Sequence, residues 1–218
     1  MLSELVFEAE SKQVALQIET PDFARLLEAV LEVWGYAVVP ESCEPGMLLI
    51  EQGGAGEKEL AVIRLGSASG VTRLSLPLVL AQLWAQLEQR FHQPARQHLR
   101  VALDLEVEVV ARNRFCAARL QSLSDMGGRL VLDRELVRDE GLLLRLAIGP
   151  QVFQIGARVI YALHRSDGEH FEIGMLFPGV EAGVRQALRH FIGQQILAAA
   201  LARAGEPGRG GLELFRPD

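Results

Sequence analysis

Over residues 101–110, "VALDLEVEVV", the apolar Val101, Leu103, Leu105, Val107 and Val109 alternate with Ala102, Asp104, Glu106 and Glu108. Successive side chains of an extended chain point to opposite faces, so this period predicts a strand with one buried and one solvated face. A helix is excluded, because its apolar face recurs about every 3.6 residues. A one-sided strand belongs in an antiparallel sheet. "LLLRLAI" at 142–148 repeats the alternation, and "FQIGARVIYAL" at 153–163 and "HFEIGMLF" at 170–177 supply further strands between turn residues. Residues 92 to 178 are therefore expected to be all-β, as a small barrel.

The N-terminal part has another texture. "VALQIE" at 14–19 predicts a strand, and "TPDFARLLEAVLEVWGY" predicts a helix with Thr20 as cap, Pro21 in the first turn and Gly35 as the left-handed stop. Phe23, Leu26, Leu27, Val30, Leu31 and Trp34 recur at helical spacing. "YAVVP", "MLLIE" and "LAVIRL" are short apolar runs without alternation, which suits strands buried on both faces of a parallel sheet. A second helix is expected in "SLPLVLAQLWAQLEQRF", with Leu76, Leu80, Leu83 and Leu87 on one face.

Near the C-terminus, Val184, Leu188, Phe191, Ile192, Ile196 and Leu197 form the apolar stripe of a further amphipathic helix, which admits self-association as a homodimer. The Gly- and Pro-rich "EPGRGGLELFRPD" after it is expected to be loosely held. The expected organisation is α+β in two domains: an α/β domain over 1–91, an antiparallel barrel with a C-terminal helix over 92–205, and a tail over 206–218.

A formal charge of -6 on 218 residues argues against a nucleic-acid polymer as partner, since phosphate neutralisation needs a Lys/Arg excess. Any anion must be met by a local basic cluster. Cys43 and Cys116 lie far apart without metal-ligand spacing, so neither a zinc site nor a disulfide framework is expected, and reducing conditions fit. The start "MLSELVFEAESKQ" lacks a basic region followed by an apolar one, and no segment approaches about 20 uninterrupted apolar residues. A cytoplasmic protein without membrane insertion is expected.

Two short stretches carry the chemistry. "PARQHLR" at 94–100 sets Arg96 and Arg100 four apart before the alternating strand. Each guanidinium can hold a phosphate or a guanine Hoogsteen edge bidentately, or stack on a base. "SLSDMGG" at 122–128 adds the hydroxyls of Ser122 and Ser124 to Gly127 and Gly128, whose missing side chains suit a tight turn and close approach of backbone N–H groups to a ligand. Taken singly, such stretches are ordinary loops. Their placement at the two ends of one strand pair points to a shared site.

Residues 96 to about 192 resemble the PilZ domain, the bacterial receptor for cyclic di-GMP. "RQHLR" matches its R-x-x-x-R linker, "SLSDMG" its D/N-x-S-x-x-G turn, "ARVIYAL" and "FEIGMLF" its late strands, and "LRHFI" its closing helix. The resemblance implies that Arg96 and Arg100 clamp the ligand's phosphates and guanines, that Ser124 donates a hydrogen bond and that Gly127 permits the turn, with Ser122 and Gly128 beside them. Ser122 stands where the family has an acid or amide, and a hydroxyl offers fewer bonds to a guanine edge.

"VALQIETPDFARLLEAVLEVWGYAVVPE" looks like the first strand, helix and second strand of a response-regulator receiver domain. Receiver chemistry needs an aspartate nucleophile, an acidic pair for Mg²⁺ and a lysine, whereas this chain has Glu51, Ile18 with Glu19, and Arg73. A truncated, degenerate receiver used for protein contacts is implied, with Glu51 as a polar strand end or as a mimic of a phosphorylated state. Asp104, Glu106 and Glu108 fit a solvated face, and His92, His98, His164, His170 and His190 lack ligand spacing. No catalytic triad or cofactor is suggested, and no enzyme is expected. The expected function is a cyclic di-GMP receptor that passes ligand binding to an unknown protein target through domain rearrangement. The alternative is a PilZ-type adaptor acting through protein contacts alone.

Overall fold

Pro21 at the first helical position and Gly35 at φ +80 bound the first helix as their backbone preferences require. The structure is a computed structural model that describes residues 12–53, 58–65 and 70–217, and the expectation drawn from the N-terminal "MLSELVFEAES" lies outside them. The chain divides into two compact units, Met1–Gln97 with Ile196–Arg216 and His98–Gln195 with the last two residues. The first division falls inside "RQHLR".

In the first unit, β1 (Gln13–Gln17), α1 (Pro21–Val33), β2 (Ala37–Val38), β3 (Met47–Gln52), β4 (Glu59–Arg64), β5 (Gly70–Ser75), β6 (Leu78–Val79) and α2 (Leu80–Phe91) follow in order. The main sheet runs β2-β1-β3-β4-β5. β1 lies parallel to β2 and β3, but β3–β4 and β4–β5 are antiparallel. The expected parallel sheet is thus corrected. Residues 53–58 and 65–69 are too few for the crossover of about a dozen residues that parallel neighbours need. Doubly wound sheets share this strand order but are parallel with helical crossovers. Among the described residues none follows β3 or β4, and the receiver-like expectation is not confirmed.

Glu51 has a local structural role. Thr20 sits at the α1 N-cap without a side-chain cap bond, contrary to expectation. Instead Glu51 Oε2 accepts from the backbone N–H groups of Thr20 at 2.8 Å and Glu19 at 3.0 Å, while Thr20 Oγ1 donates to Oε1 at 2.7 Å. A carboxylate thereby meets the positive end of the helix. Lys58 Nζ lies 3.0 Å from the same side chain, which is only 6% exposed. Burial pushes the Glu51 carboxyl pKa up, but the bonds from Thr20 and Lys58 outweigh it and hold the group below its ordinary value.

α2 begins at Leu80, later than expected, because Leu78 and Val79 pair as a strand. Leu80, Leu83 and Leu87 are fully buried as expected, while Leu76 lies outside the helix. The partner of β6 is β13 (Phe215–Arg216), in parallel register. The tail expected to be loose is therefore folded: residues 206–214 form a 3-10 helix, and the buried Phe215 ring lies 5.3 Å from Phe23. Glycine here serves close packing, since a Cβ on Gly211 would fall 2.6 Å from the Asp22 carbonyl oxygen.

The second unit is the expected barrel. β7 (Arg100–Ala111), β8 (Arg114–Ser124), β9 (Gly127–Leu132), β10 (Gly141–Ile148), β11 (Gln151–His164) and β12 (Phe171–Leu176) close in the order β10-β11-β12-β9-β8-β7, every pairing antiparallel. Val101, Val107 and Val109 point into the core, and Asp104, Glu106 and Glu108 are exposed, with Arg119 Nε bonding Asp104 at 2.9 Å. Arg112 and Asn113, both at positive φ, make the tight β7–β8 turn. α3 (Ala182–Ala204) buries Leu188, Phe191, Ile192, Ile196 and Leu197, and its residues up to Gln195 count with the barrel.

Candidate functional site

Within the barrel unit, strand register sets the end of the arginine stretch beside the serine-glycine turn. Arg100, the last residue of "RQHLR", stands directly opposite Ser124, and Ser124 opposite Gly127. Gly127 in turn pairs with Leu176, and Leu176 with Arg158. Arg100, Leu176 and Arg158 are exposed, so this row faces outward. Two residues along each strand, and three along β11 where the register shifts between Val159 and Tyr161, a second row on the same face runs Ala102, Ser122, Arg129, Gly174, Tyr161. The row between them, Val101, Leu123, Gly128, Met175, Val159, has its side chains within the core.

Gly128 therefore faces the interior. A Cβ there would lie 2.8 Å from the Ser122 carbonyl oxygen and 3.1 Å from Met175 Cε, so its missing side chain serves strand packing. The strand period of two puts it on the face opposite to that of Gly127. At Gly127 a Cβ would fall 2.2 Å from the Met175 carbonyl oxygen, and close strand contact again explains the glycine.

The hairpin at "SLSDMG" turns on Asp125 and Met126, neither at positive φ, and Ser124 stabilises it. Ser124 Oγ donates to the Gly127 carbonyl at 3.1 Å and accepts from the Met126 N–H at 3.4 Å. Its one proton thus has an acceptor inside the turn. Ser122 is buried too, and its Oγ has no hydrogen-bond partner.

Asp125 was not singled out in the sequence. It is 3% exposed, accepts from Arg189 Nε of α3 at 2.7 Å, and lies 2.8 Å from His98 Nδ1 in the "RQHLR" stretch. One buried carboxylate ties linker, turn and closing helix. The signal available was its place inside the S-x-S-x-x-G turn.

Arg96 falls in the first unit, with its side chain exposed. Its backbone N–H donates to Glu88 Oε2 at 3.1 Å, and Glu88, 1% exposed, also accepts from Tyr36 Oη at 3.5 Å and lies 3.4 Å from His92 Nε2. Burial holds the His92 pKa below its ordinary value despite the Glu88 charge, and burial with Glu88 raises that of Tyr36. Among the described residues no cluster of His, Cys, Asp or Glu has metal-binding geometry, and no helix is long and apolar enough to cross a membrane.

The outer face of this closed antiparallel barrel thus carries Arg100 beside the serine-glycine turn. Residues 94–194 match the PilZ domain family model, so the barrel unit is a PilZ domain. No curated protein matches the chain. Among solved structures it is similar to the Bacillus subtilis inhibitor of motility MotI/DgrA, at 16% identity and TM-score 0.41, covering 67% of this chain and 77% of that one. It is similar to the PilZ domain with c-di-GMP of YcgR from Escherichia coli, at 19% identity and TM-score 0.38, over 51% of this chain and 98% of the other. The K. pneumonia MrkH–c-di-GMP complex is similar at 15% identity and TM-score 0.41, over 68% and 71%.

Proposed function

We propose that this protein is a cytoplasmic receptor for cyclic di-GMP, with Arg100 and Arg96 as its principal ligand groups. The register pair Arg100–Ser124 carries the reading, because it sets the R-x-x-x-R stretch against the S-x-S-x-x-G turn inside a PilZ domain. Arg100 offers a bidentate fork to a phosphate or a guanine Hoogsteen edge. Arg96 adds a second fork from the same stretch, and Gly127 lets β9 lie close against β12 beside the turn. Ligand capture orders the stretch joining the two units and shifts one against the other, which conveys the signal to a protein target. Superimposable small-angle scattering profiles with and without ligand would count against this transmission.

Calorimetric titration with cyclic di-GMP tests the reading. Wild type is expected to bind, and Arg100→Ala to weaken binding by at least about tenfold, as loss of a charge-assisted bidentate contact does. Absence of binding by wild type would overturn it. That outcome would favour an adaptor acting through protein contacts, a reading supported by Ser122, buried and standing where the family has an acid or amide.

A further inference from the structure

We propose that Tyr161 and Arg129 extend the ligand site into the second outward row of the barrel, Tyr161 as a stacking platform for a purine base and Arg129 as the cation beside it. The inference rests on the receptor reading above and enlarges its site beyond the two sequence motifs. Tyr161 lies opposite Gly174, and Gly174 opposite Arg129, so β11, β12 and β9 set the three residues side by side. A Cβ on Gly174 would fall 2.1 Å from Tyr161 Cε1 and 2.5 Å from Cζ, so only glycine lets the ring lie against the sheet there. The ring is 38% exposed, covering Gly174 while leaving surface to solvent.

One carboxylate holds both groups. Tyr161 Oη donates to Glu172 Oε1 at 3.3 Å, and Arg129 Nη1 lies 3.6 Å from Glu172 Oε2. The row also contains two buried polar atoms without partners, Arg129 Nε and Ser122 Oγ, and Ser122 is register partner to Arg129. The next row of the same face carries Arg100. Burial and Glu172 raise the Tyr161 pKa, while the charges of Arg129 and Arg100 act against them, so both cations lie within electrostatic reach of the phenol. An aromatic surface flanked by guanidinium groups suits a flat, electron-rich base attached to a phosphate.

Calorimetric titration of the full chain with cyclic di-GMP, beside urea melts of each variant, decides the matter. Tyr161→Ala and Tyr161→Leu are expected to weaken binding by about 5- to 150-fold, the range for one lost base stack, with Tyr161→Phe within about threefold of wild type. Leucine keeps apolar cover over Gly174 without a π face, so loss there at unchanged stability separates stacking from packing. Arg129→Ala is expected to weaken binding by about tenfold or more. Wild-type binding that survives Tyr161→Leu and Arg129→Ala within twofold overturns this inference and leaves the receptor reading standing. No binding by wild type overturns both.

Discussion

His98 Nδ1 lies 2.8 Å from Asp125 Oδ1, and the other oxygen of that carboxylate accepts from Arg189 Nε at 2.7 Å. Asp125 is 4% exposed at its side chain, whereas His98 and Arg189 are 38% and 56% exposed. Removing the carboxylate leaves two solvent-accessible side chains, so the cost is the lost bonds to a buried carboxylate without a stranded buried charge. Asp125→Ala is expected to destabilise the protein by about 1–3 kcal/mol in urea unfolding, with Asp125→Asn intermediate. A change under about 0.5 kcal/mol would show that the carboxylate does not tie the turn to its neighbours.

Glu51 gives a pH-dependent prediction. Its pKa is held below the ordinary value in the folded state, so its contribution is fully present above the unfolded value of about 4.3 and is lost as pH falls through the folded value. Glu51→Gln is expected to cost about 1 kcal/mol at pH 7, from the charge opposite the α1 N-terminus and Lys58. The gap to wild type should close as pH falls through the folded value, below the unfolded one. A gap independent of pH would place the effect in packing alone.

Glycine substitutions in the barrel should differ in a predictable order. Gly127→Ala places a Cβ 2.2 Å from a backbone oxygen that cannot swing away, and is expected to cost about 3 kcal/mol or more. Gly156→Ala meets nothing within 4 Å and has no positive φ, so it should be neutral or stabilising by up to about 1 kcal/mol. Urea midpoints of the two variants in one buffer check the order, and equal effects would contradict the packing of β9 against β12.

Glu88 anchors the start of the arginine stretch. Glu88→Ala strands the Tyr36 hydroxyl and removes the acceptor of the Arg96 N–H, with an expected cost of about 2–3 kcal/mol. Because it releases the Arg96 backbone, the variant should also bind cyclic di-GMP more weakly than wild type at a temperature where both are folded. Unchanged affinity in calorimetry would separate Arg96 from the ligand site.

The barrel was legible because alternation is a local property: Val101 to Val109 sort themselves into core and solvent without reference to any other segment. α1 was legible for the same reason, its stripe and its bounding Pro21 and Gly35 being contiguous. The non-alternating runs at 47–51 and 60–65 indicated strands but not their direction, because apolar content says nothing of which way a neighbour runs. The short connections decided that. Asp125, Glu88, Arg129 and Tyr161 escaped notice because each has a partner far off in the chain, as Asp125 has Arg189 and Glu88 has Tyr36.

The sequence by itself determined which segments are extended, which are helical, and that two arginines and a serine-glycine turn flank one strand pair. Only the tertiary structure decided which of these residues share a face. Gly127 and Gly128 are adjacent in the chain and look alike there, yet register puts the first in Arg100's row and the second against Met175 and Leu120 in the core. The physical reason is the strand's period of two: one residue of shift changes the face, and only pairing with β8 and β12 sets the shift.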